Sequence, residues 1–102
     1  MWKDILKQGQ CYQLALSWMM ENTETDAIMI HADVTGTGGD IKGQVYGHAF
    51  ILIDDNTVYD VCQKISIPKD IYYKVGNVTN ERAYTLQEAV EQAIESGHYG
   101  PW

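Results

Sequence analysis

The chain has 102 residues, 45% hydrophobic and 21% charged, which suits one globular domain with one core but not two. A formal net charge of −7 without a basic stripe disfavours nucleic acid as a partner. No apolar run reaches the length of a membrane span and no signal peptide is recognisable, so we expect a cytoplasmic protein without a membrane partner. The two cysteines, Cys11 and Cys62, are too few for a disulfide framework, and both are predicted to be free thiols.

The N-terminal region predicts two short helices separated by a glycine. The first covers residues 2–8, Gly9 ends it, and the second runs from Cys11 to about Glu21 with apolar residues at helical spacing. Cys11 then lies in a first turn, where unpaired N–H groups and the helix dipole favour a thiolate. The alternative is that Cys11 is simply a buried core residue.

The middle of the chain predicts a β-sheet. Residues 44–53 carry apolar side chains at both odd- and even-numbered positions, which indicates a central strand covered on both faces. Pro68 indicates a sheet edge or a junction between short strands. His31 lies on the more polar face of its strand and is expected to be half-exposed. The predicted strands are 27–34, 44–53, 57–62, 65–68 and 70–75.

The C-terminal region predicts one further helix. Residues 76–82 look like a polar turn, Thr85 and Glu88 form a capping box, and Gly97 ends the helix. The order of helices and strands predicts an α+β fold. We expect an antiparallel sheet packed against the N-terminal helix that bears Cys11 and against the C-terminal helix, with the helices on one side.

His48 and Asp60 lie on neighbouring strands and can share a face of the sheet. With a two- or four-residue loop, His48 would face Gln63 and Asp60 would point to the other side. A three-residue loop, Asp54–Asn56, would instead place Phe50 opposite Asp60 and make His48 its diagonal neighbour, and Asn56 suits the left-handed position that such a loop needs. The same pairing would set Cys62 opposite His48. We interpret Cys62 as a core residue, because a thiol in the middle of a strand has no helix terminus beside it.

Cys11, His48 and Asp60 follow the order nucleophile, base and orienting carboxylate. The segments Gly9-Gln10-Cys11-Tyr12 and His48-Ala49-Phe50, with Asp60 twelve residues after the histidine, resemble the papain-like and transglutaminase-like cysteine amidase superfamily. The resemblance covers residues 8–62. It implies a single papain-like domain over 1–102, with Cys11 as nucleophile, His48 as base and Asp60 as orienter.

The resemblance also implies an oxyanion hole that includes the backbone N–H of Cys11. Papain-type enzymes supply a glutamine several residues before the cysteine, but Ile5 stands at that spacing here. Gln8, with Gln10 near it, is therefore our candidate for the second donor.

These features predict a cysteine-dependent hydrolase or acyltransferase acting on a peptide, protein or small amide or ester, without cofactor or metal. A zinc site drawn from Cys11, His31, His48 and Cys62 is disfavoured because no ligand pair has the usual close spacing. The alternative function is a non-catalytic binding or regulatory module on the same scaffold.

Overall fold

The protein has an α+β fold built on a five-stranded antiparallel sheet and three α-helices. The computed structural model describes the backbone of residues 2–102 and the side chains of residues 10–40 and 42–102. The elements are α1 (Trp2–Glu21), β1 (Ile28–Thr35), a 3-10 turn (Gly39–Ile41), β2 (Val45–Asp54), β3 (Thr57–Asp60), β4 (Ile65–Pro68), α2 (Lys69–Val75), β5 (Thr79–Tyr84) and α3 (Leu86–Ser96). The strands lie in the order β4-β3-β2-β1-β5.

β2 is the middle strand of the sheet, as its sequence predicts. Its odd-numbered residues Ala49 and Ile51 belong to a buried cluster that includes residues of α1 and α3. Phe50 points to the opposite face and packs with Val58 and with Tyr72 of α2. Burial on both faces explains why this strand needs apolar residues at both odd- and even-numbered positions.

α1 is one continuous helix, so the prediction that Gly9 separates two helices is wrong. A single glycine inside a helix costs only about 1 kcal/mol relative to alanine. The second half of α1 buries Cys11, Ala15 and Met19 against the sheet. Burial of an apolar face contributes more than that glycine costs, so one glycine does not end the helix.

Two predictions in the second half of the chain are also wrong. Residues 70–75, predicted as a strand, form most of α2, because Asp70 lies in its first turn after Pro68 and its aromatic residues pack on Phe50. The region 76–82, predicted as a turn, contributes to β5, whose backbone pairs with β1 even though its side chains are mostly exposed. Helices consequently cover both faces of the sheet, not one.

Several local predictions are confirmed. β4 is an edge strand that ends at Pro68. Thr85 and Glu88 form a reciprocal capping box at the start of α3, and Gly97 ends it with a left-handed φ of 77°. Over residues 2–102, none of the helices is both long and apolar enough to cross a membrane.

Candidate active site

The β2–β3 hairpin sets the positions of His48 and Asp60. Ile51 pairs with Tyr59 and Leu52 with Val58, and this register, extended by one residue, places Phe50 opposite Asp60 as predicted. The turn that produces it differs from the expected one. β2 bulges at Ile53, and at the turn the Asp54 carboxylate accepts a hydrogen bond from the Asn56 N–H at 2.8 Å.

Asn56 has no positive φ, so the predicted left-handed residue in this turn is wrong. A bulge adds one residue to one strand, which changes the register in the same way as a longer loop.

Asp60 is fully buried and accepts hydrogen bonds from three side chains and one backbone group. Its Oδ2 accepts from His48 Nε2 at 3.0 Å, from the Tyr72 hydroxyl at 2.6 Å and from Gln63 Nε2 at 3.1 Å. Its Oδ1 accepts from the Gln63 N–H at 3.1 Å. Burial alone would raise the pKa of Asp60, but the hydrogen bonds from His48, Tyr72 and Gln63 outweigh burial and lower it. Asp60 is therefore ionised at neutral pH.

His48 is buried between Asp60 and Cys11. Burial lowers the pKa of His48, whereas hydrogen bonds with Asp60 and with Cys11 raise it, and the net result is a pKa of about 9. Because an ionised carboxylate only accepts hydrogen bonds, the ring nitrogen beside Asp60, Nε2, carries a proton. The other ring nitrogen, Nδ1, is the one left for the thiol of Cys11.

Cys11 reaches His48 from the helix that covers one face of the sheet. Its side chain is only 1% exposed and belongs to the cluster formed by α1, while Phe50, two residues after His48, belongs to the opposite cluster. β3 ends at Asp60, so β2 has no neighbouring strand on that side at His48. Cys11 and His48 are hydrogen-bonded although the residues around them belong to opposite clusters.

The position of Cys11 within its helix corrects one prediction. Cys11 lies nine residues after Trp2, the first residue of α1, and not in a first turn. Its backbone N–H is inside the helix, where it donates to the carbonyl four residues earlier and is not free for an oxyanion. The prediction that the helix dipole favours a thiolate at Cys11 is therefore also wrong, because the dipole effect is confined to the terminal turn.

The remaining predicted residues lie outside this cluster. Gln10 is exposed, and the side chain of Gln8 lies outside the described residues. Cys62 follows the end of β3, in a turn, and packs partly buried against the α1 cluster, so its predicted pairing with His48 is wrong. Among the described side chains, no three His, Cys, Asp or Glu residues form a group that could hold a metal ion.

Sequence reasoning missed Tyr72 and Gln63 as partners of Asp60. Gln63 had a recognisable signal, because a glutamine three residues after a carboxylate can return to it at the end of a strand. Tyr72 had none, since the segment that carries it was interpreted as a strand, and only the helical turn of α2 aims its hydroxyl at Asp60.

His31 is a second buried histidine, and the expectation that it is half-exposed is wrong. Its ring packs against Tyr12, Tyr84 and Trp102 at centroid distances of 4.7, 5.1 and 4.8 Å. Neither ring nitrogen has a hydrogen-bond partner. Burial, with a smaller contribution from Arg82, lowers the pKa of His31 to about 4, so the ring is neutral at neutral pH.

A pocket of about 160 Å³ opens beside His48 on the α2 face of the sheet. Its polar side chains are those of Thr35, Thr37, Tyr46, His48, Gln63 and Tyr72. Its apolar walls come from β1, β4 and α2, and its described lining contains no Asp, Glu, Lys or Arg side chain. The apolar residues are Val34, Ile65, Ile67, Ile71 and Val75.

Comparison with protein-family models, with curated proteins and with solved structures finds no match for this chain.

Proposed function

We propose that the protein is a cysteine-dependent hydrolase or acyltransferase of the papain-like type, acting on an amide or ester. The observation that carries the proposal is the continuous hydrogen-bonded series from Cys11 through His48 to Asp60. A thiol nucleophile needs a base beside it and a third group that orients the base. The order of the three residues along the chain, and a cysteine-bearing helix on an antiparallel sheet, support a relationship to that superfamily.

The chemistry assigns one role to each residue. The pKa of His48 of about 9 keeps Nδ1 protonated at neutral pH, so this nitrogen already holds the proton that the Cys11 thiol has given up. The sulfur attacks the carbonyl carbon as a thiolate and forms a C–S bond. As the C–N or C–O bond breaks, His48 returns this proton to the leaving amine or alcohol. Water or an amine then attacks the thioester and gives its proton to His48 Nδ1, the C–S bond breaks, and the thiolate of Cys11 is regenerated beside the protonated His48. Asp60 keeps the proton of His48 on Nε2 throughout.

Tyr72 and Gln63 act through Asp60 as positioning residues. Their hydrogen bonds hold the carboxylate ionised and fix the orientation of the oxygen that accepts from His48. A carboxylate held by several donors stays aligned with the imidazole, which reduces the cost of orienting the base during the reaction.

The alternative is a non-catalytic module that keeps the three residues as a buried polar cluster. Two observations favour it: the thiol of Cys11 is 1% exposed, and its backbone N–H is used within the helix. A catalytic protein must open enough to admit a substrate to this sulfur. The two functions therefore differ in the reactivity of the thiol towards small reagents.

Alkylation with iodoacetamide at pH 6, with peptide mapping of the labelled cysteine, tests the proposal. We expect Cys11 to react at least about tenfold faster than N-acetylcysteine, because a histidine partner promotes the thiolate. The variant Cys62→Ala should keep this rate, whereas His48→Ala should lose it while circular dichroism shows a retained fold. Slow labelling, or labelling confined to Cys62, contradicts the assignment of Cys11 as nucleophile.

Profiling with acyl-type electrophiles then separates the two enzymatic outcomes. The wild type should form an acyl adduct that Cys11→Ala lacks. Release of the adduct by water indicates a hydrolase, and release only after addition of an amine indicates a transferase.

A further inference from the structure

The pocket beside His48 has the size and chemistry of a binding site for the acyl part of a substrate. We propose that it binds a neutral aliphatic acyl group of about four to six carbons, so that the protein acts on short-chain acyl esters or amides. This inference rests on the proposed function, because the acyl carbon must reach Cys11.

The position of the pocket connects it to the reacting groups. His48, which contacts the thiol of Cys11 and the carboxylate of Asp60, forms part of its wall. Tyr72, which donates to the same oxygen of Asp60 as His48 does, forms another part. Cys11 itself does not line the pocket, so the proposal requires an acyl group on its sulfur to enter the pocket beside His48.

The lining determines which acyl group is accepted. Ile65 and Ile67 of β4 and Ile71 and Val75 of α2 offer branched aliphatic surface, and no described lining residue is an acid, a lysine or an arginine. A charged acyl group would lose its hydration there, and the one charged side chain of the described lining, His48, is already paired with Asp60. The pocket thus selects neutral, apolar chains.

The volume sets the upper limit on chain length. A dry apolar cavity of roughly 150 Å³ accommodates benzene, which has six carbon atoms. The volume of about 160 Å³ found here is close to that value. Each methylene buried in such a site increases the acylation rate up to about fourfold. The gain should end once about six carbons are in place, because longer chains extend past the walls into water.

The test uses p-nitrophenyl acetate, butyrate, hexanoate and decanoate, with acylation of Cys11 followed by intact mass. In each reaction the thiolate displaces p-nitrophenolate, which leaves with the C–O electron pair, and each rate is divided by that of N-acetylcysteine with the same ester. We expect the normalised acylation rate to rise at least about tenfold from acetate to hexanoate and not to rise further for decanoate. A tenfold rise lies within the gain of up to about fourfold for each of the added methylenes.

A substitution in the wall of the pocket tests whether this pocket causes the chain-length preference. Ile71 is 51% exposed, so Ile71→Trp can fill the pocket without disturbing the core, and it should abolish the preference for hexanoate over acetate. The matched control is Ile94→Trp on α3, where the native side chain is 76% exposed and does not line the pocket. This control should keep the full chain-length preference. Equal effects of the two tryptophan variants would contradict the assignment of this pocket.

Failure of the pocket and failure of the nucleophile give different results. If iodoacetamide labels Cys11 rapidly but the normalised ester rates do not depend on chain length, the acyl pocket is wrong and the proposed function stands. If Cys11 reacts with no reagent, hexanamide is titrated into the protein and methyl signals are followed by nuclear magnetic resonance. Shifts at Ile65 and Val75 that Ile71→Trp removes would support the pocket without catalysis, and their absence would overturn it.

Discussion

Replacing Tyr72 with phenylalanine tests whether Asp60 is held as the structure indicates. The change removes one hydroxyl, which donates to Asp60 Oδ2 at 2.6 Å, and leaves the ring that packs on Phe50 at a centroid distance of 4.8 Å. No cavity forms, so the loss reports the hydrogen bond. A hydrogen bond to a buried charged group contributes about 1.5–3 kcal/mol. We expect Tyr72→Phe to lower the free energy of unfolding at pH 7 by that amount.

Tyr73→Phe is the matched control on the same helix. Its hydroxyl donates to the carboxylate of Glu81, and its ring also packs on Phe50, but this pair is exposed. Water replaces the lost partner of an exposed carboxylate, so we expect a loss below about 0.5 kcal/mol. Urea denaturation of both variants and the wild type measures the difference, with the slope of the transition as a check on two-state unfolding.

The pH dependence of the same measurement identifies the carboxylate. The pKa of Asp60 is lowered in the folded state, so its stabilising contribution is present above the unfolded value of 3.8 and is lost as the pH falls through the folded pKa. Losing one donor moves that pKa back towards 3.8. The difference between Tyr72→Phe and the wild type should therefore be full at pH 7 and shrink in the acid range. Equal losses for the two tyrosine variants, or a difference independent of pH, would refute the reasoning.

Three further changes have defined outcomes. His31→Leu should leave the free energy of unfolding equal or higher, because it removes two buried nitrogens without partners. The free energy of unfolding of the wild type should fall by up to about 3 kcal/mol between pH 6.5 and about 4, because only the unfolded chain binds a proton at His31 in that range. His31→Leu should abolish this fall. Gly47→Ala should cost about 1–3 kcal/mol, since its Cβ would lie 2.3 Å from the Tyr12 hydroxyl oxygen, and adding Tyr12→Phe should recover most of this because the next atom is 3.7 Å away. Thr85→Ala should cost about 1 kcal/mol through loss of the capping box with Glu88. Urea denaturation measures all three, and an absence of rescue in the Gly47 double variant would contradict the steric argument.

The sequence predicted the features that depend on neighbouring residues. Apolar residues at both odd- and even-numbered positions of β2 predict a central strand, because a strand buried on both faces needs them. The capping box at Thr85 and the left-handed Gly97 were recognised because both are set by a few consecutive residues. The register that aligns His48 with Asp60 was also predicted, although the turn reaches it by a bulge at Ile53 and not through Asn56.

The errors occur where contacts distant in the chain outweigh local preference. Gly9 does not end a helix because packing of the following turns keeps α1 continuous. Residues 70–75 have side chains typical of a strand, yet they form α2 because its aromatic residues pack on Phe50. β5 has a polar sequence and is nevertheless a strand, since its backbone completes the hydrogen bonds of β1.

The sequence alone determined the residue types and their order: a cysteine on a helix, a histidine on the central strand and an aspartate on the next. The tertiary structure alone decided that Cys11 contacts His48, and that Tyr72 and Gln63 hold Asp60. Hydrogen bonds between side chains depend on positions to within a few tenths of an ångström. Such positions follow from how α1 and α2 pack on the sheet, which no pattern within a single segment specifies.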